Sequence, residues 1–238
     1  MNFYTLLLTL LLSTTTLATV FNFTSVPKYT LQNIKLNKNN FFAIREVVSP
    51  ASISKAIMDI SFLQDKNPYL KEYYLVLDTP GGSVVSGNEL IDYMNYLNNT
   101  GIHINCIAKK AISMGFVILQ SCPGIRLALP SSMLMQHQMS TLMMGNILNI
   151  ESDMKYSKRL YEKMLIKQSH RIGVEPDTFL DKTRDDWWLD GEMALENNVV
   201  DKLVNLGCSG DLIKTQITIE RETLFGPISI KTSKCPII

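Results

Sequence analysis

The chain consists of short apolar runs typical of β-strands that alternate with longer runs in which apolar residues recur at helical spacing. The strand-like runs are FFAIREVV, EYYLVLDTP, GIHINCIA, IRLAL and SMLMQH. Helical spacing is found in SPASISKAIMDISFLQ and SGNELIDYMNYLNNT, while SMGFVILQSC is predicted to be an apolar helix and residues 146–171 a long helix. Strands that alternate with helices predict an α/β fold with a parallel sheet and right-handed crossovers.

Length and composition limit this fold to one domain and exclude several classes of partner. A chain of 238 residues, 46% of them hydrophobic, can bury one good core but not two comfortable ones. A net charge of +1 gives no basis for a nucleic-acid partner. The sequence contains neither CxxC nor HExxH, so neither a metal nor another cofactor is expected.

The N-terminus has the pattern of an export signal. An apolar run at residues 6–12 is followed by small residues that end at Ala18, which predicts cleavage after Ala18. No basic residue precedes Lys28, so an uncut membrane anchor and a buried terminal strand or helix are the alternatives. The expected location is therefore secreted, periplasmic or membrane-associated, with a cytoplasmic or organellar location as the alternative.

Four cysteines and a polar tail indicate how the end of the chain is held. After residue 204, TQITIE and ISIKT flank Phe225-Gly226-Pro227 and predict a small hairpin. Cys208 and Cys235 bracket this tail and are expected to form a disulfide. Cys106, in a strand-like run, and Cys122, at the end of an apolar helix, are expected to remain buried, reduced thiols.

The stretch DTPGGSVVSG places two adjacent glycines at the end of a strand-like run. Glycine there gives up side-chain packing, which is explained if the main chain at Gly81 and Gly82 must approach another group closely. Ser113 stands at the start of an apolar helix in KKAISMGFV. It can be a simple N-cap, or it can be a nucleophile whose oxyanion is held by main-chain N–H groups, with Gly82 as one donor.

A serine nucleophile needs a base, and the chain has three histidines. His137 ends an apolar strand, at the edge of the sheet where α/β enzymes place their chemistry, so it is the candidate base. His103 lies within a strand and is expected at a packed or edge position. His170 stands near the end of the long helix, where a cation is favoured by the helix dipole.

Four segments in order resemble the motifs of the Clp-type serine peptidases, the ClpP family of the ClpP/crotonase-like superfamily. They are LDTPGGSVVSG, AISMGFVIL, MLMQHQMS and RDDWWLDGEMALENNVVDKL. The resemblance covers residues 41–204 as a peptidase domain, between an N-terminal segment at residues 19–40 and a C-terminal extension at residues 205–238. It implies a repeated β-β-α domain with a parallel sheet and a long handle helix, followed here by the hairpin-like tail.

The resemblance also assigns catalytic roles. Ser113 matches the nucleophile and His137 the general base, while Gly82 and Met114 match the main-chain oxyanion donors. Asp186 matches the acid, because it lies three residues before the leucine of the motif, although Arg–Asp pairing alone would choose Asp185.

The residues on both sides of Gly82 are expected to bind substrate. Gly81, Ser83 and Val84 belong to a segment that could offer an edge along which an extended peptide pairs. The function implied is a serine endopeptidase that hydrolyses peptides or unfolded proteins inside a homo-oligomeric ring, a heptamer or double heptamer. An ATPase unfoldase is an expected partner if the protein is cytosolic. An inactive Clp-like scaffold subunit and a crotonase-type acyl-CoA enzyme are the alternatives.

The chain departs from the family pattern before the nucleophile and before its final aspartate. Lys109-Lys110 replaces a Gly-Gln pair, with about one extra residue after Cys106. These lysines are either a solvated pair at a strand end or the source of a Ser–Lys dyad. Asn198 replaces a glycine, which is tolerable because asparagine can adopt a left-handed conformation.

Overall fold

The computed structural model describes residues 29–223 and 226–237. Residues 31–238 form one compact unit. The predicted export signal at residues 1–18 lies outside the described residues. The strands are β1 (Gln32–Leu36), β2 (Phe41–Ile44), β3 (Glu72–Thr79), β4 (His103–Ile112), β5 (Arg126–Gln136), β6 (Trp187–Leu189), β7 (Lys202–Cys208), β8 (Gln216–Thr223) and β9 (Gly226–Ser233). The helices are α1 (Pro50–Lys66), α2 (Val84–Asn99), α3 (Met114–Gln120), α4 (Ile147–Ile172), α5 (Pro176–Lys182), α6 (Gly191–Glu196) and α7 (Gly210–Lys214).

The first seven strands form one mostly parallel sheet. Six of them lie in the order β1-β7-β5-β4-β3-β2, all parallel, and β6 pairs antiparallel with β5. Parallel neighbours need a crossover, and α1, α2 and α3 supply it between successive strands from β2 to β5. β8 and β9 form a separate antiparallel hairpin. The predicted α/β fold with a parallel sheet and a C-terminal hairpin is confirmed.

Two features of the sheet differ from the sequence prediction. The polar stretch before Phe41 contains β1, in which Ile34 and Leu36 are buried while Lys35 between them is exposed. This alternation is a strand pattern, but it extends over only three residues. IRLAL and SMLMQH are not two strands but the two ends of β5, joined where the pairing with β4 shifts after Ala108.

Local capping fixes where the helices begin and end. At the start of α1, the hydroxyl groups of Ser49 and Ser52 each accept a hydrogen bond from the other residue's N–H, which forms a capping box. Asn146 caps α4 by accepting from Asn149 N–H, and Gly173 ends it at φ 83°. The long predicted helix is confirmed.

Among the described residues, no helix combines the length and the apolar character needed to cross a bilayer.

The C-terminal extension covers one face of the sheet. Side chains from the middle of the sheet, such as Val76 and Ile107, form a buried cluster that includes Leu212 of α7 and Cys235. Leu212 is 1% exposed and Cys235 is 0% exposed. The extension is therefore part of the hydrophobic core and not only an appended hairpin.

Both cysteine pairs form disulfides, and no cysteine remains free. The predicted Cys208–Cys235 bridge, which joins β7 to the tail, is confirmed. The expectation that Cys106 and Cys122 stay reduced is wrong, although both are buried as expected. Cys106 N–H donates to the Ile125 carbonyl, so the chain leaving α3 runs beside β4 and brings the two cysteines to a Cα–Cα distance of 6.0 Å.

Candidate active site

Ser113 joins β4 to α3 in a main-chain conformation that residues other than glycine rarely adopt. Its φ is 55° and its ψ is −116°. The turn is held by three main-chain hydrogen bonds, one from Ser113 N–H to the Met135 carbonyl and two from the N–H groups of Phe116 and Val117 to the Ser113 carbonyl. The hydroxyl makes no capping bond to α3, so a simple N-cap role does not account for the residue. A main-chain conformation as unfavourable as that of Ser113 is typical of a turn that presents a reactive side chain.

The Ser113 hydroxyl is hydrogen-bonded to His137 instead. The distance from Oγ to Nε2 is 2.8 Å, and both side chains are half-buried. The two residues meet because β4 and β5 are parallel neighbours that end immediately before them, with Ile112 paired to Met135. An imidazole nitrogen at this distance can take the serine proton.

Gly81 and Gly82 bring the end of β3 against this turn. A Cβ on Gly81, whose φ is 90°, would lie 2.8 Å from the Cβ of Ser113 and 2.9 Å from the nitrogen of Met114. A Cβ on Gly82, whose φ is 141°, would collide with the Val48 carbonyl. Within the described residues, the N–H groups of Gly82 and Met114 donate to no other group. The glycine pair therefore leaves two free main-chain donors next to the serine.

The chain beyond Gly82 is not an extended edge. α2 begins at Val84, and Ser83 caps this helix by accepting from Ser86 N–H at 3.2 Å. Ser83 N–H already donates to the Val48 carbonyl at 2.8 Å. The edge expected for an extended peptide therefore stops at Gly82, because a helix cap uses the polar groups that a strand would offer. Val84 lines the cleft beside Ser113 with its side chain.

Neither candidate acid touches His137. Asp185 and Asp186 are both exposed, and in the part of the chain that the structure describes neither forms a hydrogen bond or ion pair with the imidazole. β6 pairs antiparallel with β5, with Trp187 opposite Gln136. Continuing this register by one residue places Asp186, and not Asp185, opposite His137.

A cleft of about 210 Å³ opens beside the Ser113–His137 pair. Apolar side chains and a pair of buried amides contribute to its walls: Val84, Met114, Val117, Met164, Gln136 and Gln168. The amides are linked by a 2.6 Å hydrogen bond from Gln136 Nε2 to Gln168 Oε1. A second cleft, of about 400 Å³, shares Tyr161 with the first and continues along α4. Burial raises the pKa of Tyr161, which keeps its hydroxyl neutral.

The two lysines before the nucleophile turn pair with Asp78. Lys109 Nζ lies 3.2 Å from Oδ2 of this carboxylate, and Lys110 Nζ lies 3.7 Å from Oδ1. Among the described residues, neither lysine is hydrogen-bonded to Ser113. The geometry does not support a Ser–Lys dyad. The lysines form a partly solvated pair at the strand end, with side chains 36% and 29% exposed, and both are also ion-paired with Asp78.

Other residues singled out by the sequence have structural positions away from the reacting pair. His103 is the exposed first residue of β4, and His170 lies exposed in the last turn of α4. Asn198 has a φ of 56°, which confirms the left-handed conformation expected where the family has glycine. Trp187, which follows the two aspartates, packs with its ring centroid 6.2 Å from that of Phe116. Across the described chain, no group of three or more His, Cys, Asp or Glu side chains is arranged to hold a metal ion.

Comparison with protein families agrees with this geometry. The family model described as Clp protease matches residues 28–206, about three quarters of the chain. The matched region contains β1 to β6, most of β7, the Ser113–His137 pair and both glycines of the β3 turn. It ends before α7 and the hairpin, so nearly all of the C-terminal extension lies outside the match. The resemblance seen in the order of the motifs is confirmed.

Proposed function

The chain belongs to the Clp protease family, and from this we propose that it is a serine-type endopeptidase acting on extended peptides and unfolded proteins. Membership of the family supports peptidase activity in general terms. The serine mechanism rests on one observation, the 2.8 Å hydrogen bond between Ser113 Oγ and His137 Nε2 at the side of a cleft.

Acylation begins when His137 Nε2 takes the hydroxyl proton and Ser113 Oγ attacks the carbonyl carbon of the scissile peptide bond. The negative charge that develops on the carbonyl oxygen is stabilised by the N–H groups of Gly82 and Met114, which are fixed before substrate binds. The protonated His137 then gives its proton to the leaving amine. The products of this step are an acyl-Ser113 ester and a released peptide amine.

Deacylation repeats the sequence with water as the nucleophile. His137 takes a proton from water, the hydroxide attacks the ester carbon, and the proton returns to Ser113 Oγ as the acid product leaves. Asp186 is proposed to hold the Nδ1–H tautomer of His137 through both steps. The continued register of β5 and β6 supports this choice, and formation of the contact requires movement of the exposed Asp186 side chain.

Members of the family generally form oligomeric rings, and we extend this to a homo-oligomeric ring, heptameric or double-heptameric, for this chain. The first half of α4 exposes large apolar side chains, among them Ile147 and Leu148, which are 83% and 75% exposed. Exposed apolar patches of this kind are typical of contacts between protein copies. Sedimentation equilibrium of the purified chain tests this, and a monomer at micromolar concentration would contradict it.

We further propose that the protein acts in an oxidising compartment after residues 1–18 are removed. Two disulfides in a chain without free cysteines support this location, because cytosolic proteins rarely keep disulfides. A cytosolic ATPase unfoldase then has no access, and the substrates are short or unfolded peptides. The intact mass of the secreted protein should correspond to a chain that begins at Thr19.

A fluorophosphonate probe tests the proposed chemistry directly. The probe should label the wild-type chain at Ser113, and Ser113→Ala should remove labelling and lower peptide hydrolysis by about 10³-fold or more. Ser121→Ala at the other end of α3 is the matched control and should be labelled normally. A folded wild-type ring without labelling or hydrolysis would instead indicate a scaffold subunit. Turnover of an acyl-CoA ester without labelling would indicate a crotonase-type enzyme.

A further inference from the structure

Three charged side chains form a cluster between the ends of β3 and β4. Asp78 is buried to the extent that its side chain is 11% exposed, and it is contacted by Lys109 at 3.2 Å and Lys110 at 3.7 Å. Lys109 Nζ also donates a 3.0 Å hydrogen bond to the Pro236 carbonyl. We call Asp78, Lys109 and Lys110 the strand-end cluster.

A β-bulge explains how two consecutive lysines reach one carboxylate. Leu77 is paired with Ala108, but the next residue, Asp78, is paired with Lys110, so Lys109 is an extra residue on β4. Successive side chains of a regular strand point to opposite faces. The bulge interrupts this alternation, and both ammonium groups can then approach Asp78.

The cluster lies just before both halves of the candidate active site. Gly82, with its free N–H, follows four residues after Asp78 in the turn beyond β3, and Ser113 follows four residues after Lys109 in the turn beyond β4. Thr79 follows Asp78 and is 0% exposed, and its hydroxyl accepts a hydrogen bond from Gly81 N–H. The relative position of the two strand ends therefore sets the gap between the oxyanion donor and the nucleophile.

The C-terminal extension reaches the cluster from outside the region that the family model matches. Pro236 follows Cys235, which is held to β7 by its disulfide with Cys208. Arg45 adds a second connection by donating to the Ser233 carbonyl at 2.8 Å. The tail thus presents a fixed carbonyl oxygen to the Lys109 ammonium group.

We propose that Asp78, Lys109 and Lys110 are positioning residues that hold the glycine turn of β3 against the nucleophile turn of β4, with the tail carbonyl fixing Lys109. This inference rests on the proposed serine mechanism. Loosening the cluster changes the distance between Gly82 and Ser113 but leaves the other walls of the cleft, such as Met164, in place, so it lowers kcat and leaves KM nearly unchanged. A purely structural ion pair would lower stability and leave the kcat of the folded enzyme intact.

The test compares full-length variants by their rate of labelling with a fluorophosphonate, which needs no knowledge of the natural substrate. Asp78→Asn and Lys109→Met should each label Ser113 about tenfold more slowly, since small misplacements of catalytic groups are costly. Lys109→Arg, which keeps the charge, should restore most of the rate. Lys55→Met is the matched control, because it breaks an exposed ion pair with Asp59 on α1 and should label at the wild-type rate.

Three further measurements distinguish a positioning role of the cluster from a purely structural one: the rate of a double variant, the kcat and KM of the single variants, and their stability. The Asp78→Asn/Lys109→Met double variant should be no slower than Asp78→Asn alone, because the two residues act through one contact. On a short synthetic peptide, kcat should fall while KM stays within about twofold. Rates are divided by the folded fraction measured by urea unfolding, and Lys109→Met carries the test if Asp78→Asn does not fold.

The outcomes distinguish this proposal from the one on which it rests. If the wild type is not labelled at Ser113, the serine mechanism fails and the positioning role fails with it. If the wild type is labelled and both variants are labelled at the wild-type rate per folded molecule, the mechanism stands and the positioning role is overturned. This holds even if both variants are less stable than the wild type.

Discussion

Gly81 and Ser113 are packed so closely that a Cβ on Gly81 would lie 2.8 Å from the Cβ of Ser113. The same Cβ would lie 2.6 Å from the Ile112 carbonyl oxygen, which belongs to the main chain and cannot turn away as a side chain can. The glycine turn and the nucleophile turn are thus in direct contact. Any side chain at Gly81 must move one of them.

Gly81→Ala is therefore expected to lower peptide hydrolysis by about 10²-fold, because displacing an oxyanion donor costs this much in acyl transfer. Gly101→Ala is the matched control. Gly101 has a similar φ of 83°, but a Cβ added there would meet no atom within 4 Å, so it carries the main-chain strain without the collision. The main-chain strain should cost each variant about 1–2 kcal/mol of stability, and the collision should add to this loss in Gly81→Ala. Equal activities per folded molecule would contradict the role given to the Gly81 contact.

Asp186→Asn should reduce kcat far more than Asp185→Asn. Continuing the pairing of β5 and β6 by one residue beyond Gln136 and Trp187 would set Asp186 opposite His137, and loss of its charge removes the group proposed to hold the imidazole tautomer. We expect a loss of about 10³–10⁴-fold for Asp186→Asn and less than about threefold for its neighbour. pH–rate profiles of both variants provide the measurement. Small, equal losses would show that neither aspartate orients the base.

Gln136→Leu should shift the preference for the residue that enters the cleft. The Gln136–Gln168 hydrogen bond gives the cleft a buried polar contribution among methionine and valine side chains. Replacing one amide with an isosteric apolar group should raise the ratio of kcat/KM for a leucine peptide over a glutamine peptide by about tenfold. Because both peptides are tested on one variant, any effect on the neighbouring His137 cancels in the ratio. If the ratio of the two kcat/KM values does not change, the substrate side chain does not enter the cleft beside Gln136.

The Cys106–Cys122 bridge is expected to stabilise the domain that carries the nucleophile. Its loop spans a sequence separation of 16, for which chain entropy predicts about 3 kcal/mol of unfolding free energy. Cys106→Ala/Cys122→Ala should lose about this amount in urea denaturation, and Cys208→Ala/Cys235→Ala, with a separation of 27, is the comparison. Peptide mapping without reductant should recover both bridges. Free thiols or exchanged pairs in the native protein would contradict this assignment.

Most of the fold followed from periodicity, because buried helices and strands need long apolar patterns. The parallel sheet and the helices α1 and α2 that pack on it were predictable for this reason. β1 was not, since its pattern consists of Ile34 and Leu36 around one lysine. The disulfide between Cys106 and Cys122 was missed for a different reason. Burial can be inferred from neighbouring apolar residues, whereas the distance between two buried thiols depends on the path of the chain after α3.

The candidate site, like the fold, could be predicted from the sequence only in part. The meeting of Ser113 and His137 could be anticipated because each follows an apolar strand, and parallel strands end at one edge of the sheet. The helical start at Val84 was harder to predict, because GGSVV suits an extended edge as well as a capped helix. The ion pairs of Asp78 depend on a bulge, and a bulge changes pairing without changing the apolar pattern.

Lys109 also shows how this catalytic strand accommodates a change in length. Adding one residue to a strand normally turns every later side chain to the opposite face. The bulge takes the added residue out of register, so Ala111 still pairs with Thr79 and Ser113 still follows at the sheet edge beside His137. The bulge therefore lets β4 hold an additional residue upstream of its nucleophile while the active-site geometry is kept. A sequence pattern with fixed spacing before the serine would overlook relatives that differ by such an insertion.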